Sequence, residues 1–369
     1  MIRLSMLQFR IQAITAAAAL AAFAVLLAAT GPHLASTYAA DGLDGCHASS
    51  SCANLANYFT GSLIRTPYAV LWLLSLGIIL LMPAVIGLFW GAPLIARELE
   101  TGTAAMAWNQ SVTRTRWLAV KLSAGVVAAM AVTEALCLMQ AWWAAPISQA
   151  VADGGSAGGL AQSRFSQLNF ATHGVTPLGY AVFAFALGVT AGALIRRTVP
   201  AMAVTLAIFA ALQVAMPLWV RPNLAPADHV AIPVSSQENL SPAQTGPGGG
   251  TFTLYAINLP GQPGAWLLSS GPVNAAGQPV SATPAACASI ANTGGVNTGT
   301  SQATQGGSGA PATGPAGFIA CLGSHGIREA VTYQPASRYW RFQWTETAIY
   351  LALALALAGY CFLRLSRLS

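Results

Sequence analysis

Six apolar runs, each close to the roughly 20 residues that carry an α-helix across a hydrocarbon core, dominate this chain. Their approximate bounds are Ile11–Thr30, Tyr68–Gly91, Leu118–Ala145, Leu178–Ile195, Val199–Trp219 and Thr345–Leu363. In lipid every backbone N–H and C=O needs a partner within its own segment, so runs of this length and composition are read as helices. Charge is scarce: 7% of the 369 residues are charged, against about 25% in an ordinary soluble domain. Such a chain cannot cover a globular surface with polar groups. The expected fold is an all-α polytopic membrane protein of about six transmembrane helices, in contact with membrane lipids. The first run is longer than the roughly 7–15 apolar residues of a signal peptide and is read as an uncleaved helix.

The 16 basic residues, 15 arginines and Lys121, sit singly or in pairs at the ends of these runs and form no stripe. That arrangement excludes a nucleic-acid face and sets topology instead. With a cytoplasmic N-terminus, Arg3, Arg10, Arg97, Arg114, Arg116, Lys121, Arg196, Arg197, Arg364 and Arg367 fall in short inner segments. The six remaining arginines spread over much longer outer ones, so both termini are expected inside. The chain then divides into five helices over 1–219 with a cytoplasmic loop at 92–117, an extracellular segment at 220–344, and a sixth helix with its tail at 345–369.

Cys46 and Cys52 fall in the first outer loop, and Cys287 and Cys321 in the last. Pairing within each loop is the simplest of three connectivities on an oxidising side. A metal site is the alternative, since His47 adjoins Cys46 and His325 follows Cys321; irregular spacing and few carboxylates count against it, and no metal or cofactor is expected. The middle of the last outer segment, Ser281–Gly317, is rich in Ala, Gly, Thr, Ser and Pro, a composition that leaves chain entropy uncompensated. Thr251–Leu259 alternates as a strand, and Tyr339, Trp340, Phe342 and Trp344 interleave with arginines in the manner of a headgroup anchor.

The loop GAPLIARELETGTAAMAWNQSVTRTRWLAVK, Gly91–Lys121, holds six of the chain's 26 charged residues. Pro93 suits the start of a short helix over Ala92–Glu100 that Gly102 can end. Arginines at helix ends are explained by topology, but the Arg97-Glu98-x-Glu100 cluster and Trp108 are not. A docking surface for a cytoplasmic protein accounts for both. A P-loop requires G-x-x-x-x-G-K-[ST], and Leu122 follows the one lysine, so ATP hydrolysis is assigned to another chain.

The run ARELETGTAAMAWNQSVTRTRWLAVKL resembles the first cytoplasmic loop of bacterial ABC transporter permeases of the type-2 export family. FALGVTAGALIRRTVPAMAVT (Phe185–Thr205) and YQPASRYWRFQWTETAIYLALALALA (Tyr333–Ala358) are similar to the same subgroup. The resemblance implies a non-enzymatic permease subunit in the bacterial cytoplasmic membrane, exporting its substrate by alternating access. It implies that Ala92–Gly102, with Arg97, Glu98, Glu100, Thr101 and Gly102, docks on a separate ATP-binding subunit. It also implies a second permease copy, identical or related.

Within the spans, Glu134 is an isolated carboxylate that costs about 2.5–3.5 kcal/mol at mid-bilayer. It is read either as lining the pathway or as packing glue. Ala184, Gly188 and Gly192 form a small-residue stripe that needs another helix against it, in the same subunit or across a dimer. Glu346 reads as interfacial. A membrane enzyme is disfavoured for want of a second catalytic group. A membrane sensor or assembly factor using the extracellular segment is the alternative function.

Overall fold

The structure is a computed structural model that describes residues 2–46, 50–101, 114–152, 164–234, most of 240–293, and 315–366. Six helices are long and apolar enough to cross a membrane: Ala13–Ala40, Pro67–Glu100, Thr115–Trp143, Thr176–Ile195, Thr198–Asn223 and Ala336–Arg364. They lie within α1 (Ile2–Ala40), α3 (Pro67–Glu100), α4 (Arg114–Trp143), α7 (Thr176–Ile195), α8 (Thr198–Ala215, prolonged to Asn223) and α11 (Tyr339–Ser366). Shorter helices α2 (Ser50–Leu63), α5 (Ala145–Ala152) and α6 (Gln167–Thr172) connect them. The chain separates into two compact units, residues 1–162, 166–224 and 340–369 in one, and 163–165 with 225–339 in the other.

In the first unit α7 is the central post. Of its apolar window 78% is buried, against 11% for α1, which remains largely uncovered by protein. The reason is a shared glycine face. A Cβ added to Gly188 would lie 2.2 Å from the Gly87 oxygen and 2.8 Å from the Ala92 nitrogen, and one on Gly192 would lie 2.4 Å from the Ala92 oxygen. Reciprocally, Gly87 and Gly91 would drive a Cβ to 2.6 Å from the carbonyl oxygens of Ala184 and Phe185. The Ala184–Gly188–Gly192 stripe therefore packs within the subunit, on α3, with backbones in direct contact.

At that crossing α3 changes its winding. It is α-helical over Pro67–Ile86, π-helical over Gly87–Gly91 and α-helical again over Ala92–Glu100. The Ala92 N–H donates to the Gly87 oxygen, five residues back. Pro93, which has no N–H to donate, sits in the first turn of Ala92–Glu100 as expected, directly after this wider turn. Ala92–Glu100 is thus the direct continuation of the second span. Pro32 likewise leaves α1 unbroken, so that helix runs on to Ala40 rather than ending near Thr30. Trp143 Nε1 on α4 donates to Thr30 Oγ1 at 2.9 Å, and Tyr68 of α3 bonds His33 at 2.9 Å, tying α1 to its neighbours.

The all-α class describes this unit; residues 225–339 add two small sheets. Strands β1 (Asp228–Pro233), β4 (Trp266–Val273) and β5 (Arg328–Gln334) form an antiparallel sheet in the order β1-β5-β4, with β5 central. β2 (Gln244–Thr245) pairs β3 (Phe252–Thr253), so among the described residues of the alternating stretch Thr251–Leu259 two enter a ladder, and Thr251 and Ala256 make isolated bridges. Helices α9 (Ala285–Thr293) and α10 (Pro315–Ser324) complete a core that includes Ile232, Phe252, Phe318, Leu322 and Val331. Entry and exit are clamped together: Arg338 donates to the Pro226 oxygen at 2.7 Å and pairs with Asp228 at 3.0 Å, while Gln334 donates to the Ala225 oxygen at 2.8 Å. Residues 294–314 of the Ala/Gly-rich stretch lie outside the described residues.

Two outcomes follow from this packing. Gly188→Ala is expected to lower stability by about 1–3 kcal/mol, because backbone on both sides must move, whereas Gly77→Ala, whose Cβ meets nothing within 4 Å, leaves it unchanged; thermal unfolding in detergent distinguishes them. The second concerns Glu329 on β5, which is fully buried, where burial outweighs the lowering contributions of the Ser270 hydroxyl and the Ala256 backbone N–H. Burial pushes its pKa up to about 7 from 4.5. The folded state then holds a proton that the unfolded chain has lost, so stability is full below pH 4.5 and declines as pH rises through 7. Glu329→Gln abolishes that decline, read as hydrogen-exchange protection of β5 in the whole protein after correction for intrinsic exchange rates.

Candidate functional site

The two ends of the six-helix unit each carry a cluster of charged and polar groups that the apolar spans cannot dispense with. At the end where α3 finishes, Arg97 is exposed, while Glu98 turns inward to pair with Lys121 on α4. Lys121 is 3% exposed and its ammonium sits 4.5 Å over the Trp117 ring. An ammonium so enclosed needs a counter-charge, and Glu98 supplies it. Glu100 accepts from the Thr198 backbone N–H at 3.2 Å and its hydroxyl at 2.8 Å, which satisfies a free donor at the start of α8. Thr101 caps the helix, its hydroxyl donating to the Arg97 oxygen at 2.8 Å. The acidic pair, which topology could not explain, thus binds α3 to α4 and α8. Arg97 and Thr101 remain on the surface. Gly102, Met106 and Trp108 lie outside the described residues.

The connection from α7 to α8 is as tight as its RRTVP sequence implies. Arg196 ends α7 in the left-handed region, φ 57°, and its N–H returns to the Gly192 oxygen. Glycine is the usual residue there; here arginine occupies the position beside the Glu100–Thr198 contact.

At the opposite end, Glu346 of α11 is fully buried within the protein. It accepts from Arg221 Nε at 2.9 Å and Nη2 at 3.0 Å, a two-pronged carboxylate–guanidinium pair, and from the Tyr180 hydroxyl on α7. The guanidinium carbon lies 3.9 Å over the Phe170 ring of α6. Arg221 reaches this position because α8 widens to a π-turn over Met216–Val220, and the Arg221 N–H donates five residues back to Met216. Three residues before Glu346, Gln343 closes the start of α7: its Oε1 accepts from the N–H groups of Val175 and Thr176, at 3.1 and 3.0 Å, and from the Thr176 hydroxyl. Its Nε2 donates to the Phe170 oxygen at 3.0 Å. At Gly174 the backbone conformation, φ +75°, favours glycine, and a Cβ there would also lie 2.7 Å from Gln343 Oε1 and displace that side chain.

Arg221, Glu346, Tyr180 and Gln343 were not among the residues expected to matter. The signal was present: opposite charges close the fifth apolar run and open the sixth, hence at one depth. Reading each as a separate interfacial charge hid the pair.

Glu134 lies half-buried on α4, and the residues one turn to either side, Met130 and Leu138, are exposed. It makes no ion pair or hydrogen bond among the described residues. Cys46–Cys52 and Cys287–Cys321 are disulfide-bonded. His325 Nδ1 stands 3.9 Å from the Cys287 sulfur, but two sulfurs bonded to each other present no thiolate to a metal.

A multi-pass membrane protein with buried polar locks at both ends of its bundle is the class these features define. A protein-family model described as ABC-2 membrane transporter related matches residues 17–221, more than half of the chain, and the chain belongs to that family. The match runs through the first five spans and stops at Arg221. No curated protein and no solved structure matches the chain.

The buried pair makes a sharp energetic statement. Removing one partner, as in Glu346→Leu, strands a buried guanidinium and is expected to cost about 3–5 kcal/mol. Replacing both, Arg221→Met with Glu346→Leu, recovers most of that loss. A double-mutant cycle on thermal stability in detergent checks the coupling; additive single effects would mean that the two side chains do not act as a pair.

Proposed function

We propose that this chain is the transmembrane permease subunit of an ABC exporter in a bacterial cytoplasmic membrane, moving its substrate by alternating access. Membership of the ABC-2 membrane transporter related family supports a transport role. The observation that carries the mechanical part is the continuity of α3 from Pro67 to Glu100. A force applied at Arg97 and Thr101 is delivered along one rod to its glycine contact with α7, with no intervening hinge loop.

In this reading both termini are cytoplasmic, and the exposed face of Ala92–Thr101 docks on a separate ATP-binding subunit. Arg97 offers the contact charge. Glu98 and Glu100 act one step back, holding the docked segment to α4 and α8 so that its displacement moves three helices together. A second permease copy, identical or related, completes the pathway, and Glu134 faces that side: a carboxylate flanked by exposed apolar residues is tolerated in a bilayer when protein or water covers it. The alternative, a sensor or assembly factor using the segment 225–339, has in its favour that this segment folds as a compact unit with its own core.

Affinity purification from native membranes in mild detergent is expected to recover a chain bearing G-x-x-x-x-G-K-[ST]. Arg97→Glu is expected to lower that recovery at least tenfold, the loss of about 1.4 kcal/mol or more of binding, while the protein remains inserted. Absence of any such ATPase with the wild-type chain would transfer the assignment to the sensor reading.

A further inference from the structure

A cavity of about 380 Å³ opens among α3, α6, α7 and α8, within the range of about 300–1,000 Å³ typical of small-molecule sites. Its walls are apolar, with Phe209, Ala84 and Ala171 inside. Leu81, Leu206 and Val214, which also line it, are 62%, 46% and 57% exposed on faces of candidate spans. The cavity is therefore open on lipid-facing sides of α3 and α8, and also beside Gln167 and Leu168, exposed on the connecting helix α6.

Polar groups gather at one end. Arg221, Tyr180 and Gln213 all line the cavity. The guanidinium is neutralised by Glu346 and the Tyr180 hydroxyl is donated to the same carboxylate. Gln213 differs: its Oε1 accepts from the Tyr350 hydroxyl at 3.4 Å, but its Nε2 is buried without any hydrogen-bond partner. A buried amide donor left unmade costs about 1–3 kcal/mol; Nε2 has almost no surface open to the cavity, so an occupant's acceptor reaches it only once the Gln213 side chain turns toward the cavity.

We propose that this cavity binds an uncharged amphiphile drawn from the bilayer, with one acyl chain along the apolar walls and an ester or amide carbonyl accepting from Gln213 Nε2. Three features select that chemistry. The opening on the lipid-facing sides of α3 and α8 admits a molecule already dissolved in the hydrocarbon. The apolar walls match a chain rather than a sugar or peptide. The compensated Arg221–Glu346 pair leaves no net charge to neutralise, so a carbonyl is preferred to a carboxylate or phosphate head. The inference rests on the helices crossing a bilayer and is independent of any ATP-binding partner.

The test uses the full-length protein in phosphatidylcholine nanodiscs, photolabelled with monooleoylglycerol carrying a diazirine in its chain. Label is expected on peptides containing Leu80–Ala84 and Leu206–Pro217. Ala210→Trp, which fills the cavity from α8, is expected to lower that labelling at least tenfold. Gln213→Leu, a second variant that retains the cavity, lowers apparent affinity about fivefold, the worth of one hydrogen bond. The matching diazirine oleate, charged at its head, labels these peptides more weakly. Label spread evenly over all lipid-facing helices, or unchanged in both variants, overturns the site. Equal or stronger labelling by oleate overturns the uncharged head. Co-extraction of a neutral acyl lipid with the wild-type protein, lost in Ala210→Trp, places its source in the bilayer. Probe labelling with no co-extracted lipid contradicts that source.

Discussion

Where α3 crosses α7, two helices touch backbone to backbone. Gly87 and Gly91 on one side meet Ala184, Gly188 and Gly192 on the other, with no room for a single added carbon at four of these positions. In lipid there is little hydrophobic gain from bringing apolar helices together, so close van der Waals contact across small residues must hold them. That contact seats α7 deep enough for α4, α8 and α11 to pack round it. The π-turn lies at the same crossing, over Gly87–Gly91, and α3 continues through it to Glu100 without a break.

The polar locks at the ends act on this frame. Glu98–Lys121 and Glu100–Thr198 fasten the α3 terminus to α4 and α8. Arg221–Glu346 and Gln343 fasten α8 and α11 to α6 and α7. Lys121, Arg221 and Glu346 are expensive to bury alone, and each becomes tolerable only when its partner arrives from a different helix. Mispaired arrangements of the six helices leave these charges stranded. The clusters therefore help to specify one bundle, beyond whatever stability they add.

Much of this was legible from residue order. The six spans follow from run length and charge poverty, and the Ala184–Gly188–Gly192 spacing announced a helix face that needed a neighbour. The identity of that neighbour was not legible, because Gly87 and Gly91 lie in a run whose apolar composition masks their spacing. Pro93 does lie in the first turn of Ala92–Glu100, as its position suggested, but a π-turn joins that helix to the second span without a break, which residue order did not show. The partners of Glu98, Glu100 and Glu346 were hidden from residue order too. An acid near a span end can face water or a partner, and only three-dimensional proximity to Lys121, Thr198 or Arg221 decides between them. In the segment 225–339, long-range pairing of β1 with β5 left no local trace, since its partners lie about a hundred residues apart.

The central claim is that α3 and α7 move as one body, carrying displacement from the Arg97 end into the bundle. Spin labels at Arg97 and Leu194, both exposed and on the two helices concerned, report on it directly in a complex with the proposed ATP-binding subunit. The account predicts that their separation stays the same in the nucleotide-free and ATP-trapped states, while distances from Arg97 to α1 change. A change of several ångströms between Arg97 and Leu194 would show the glycine contact sliding and would contradict the account.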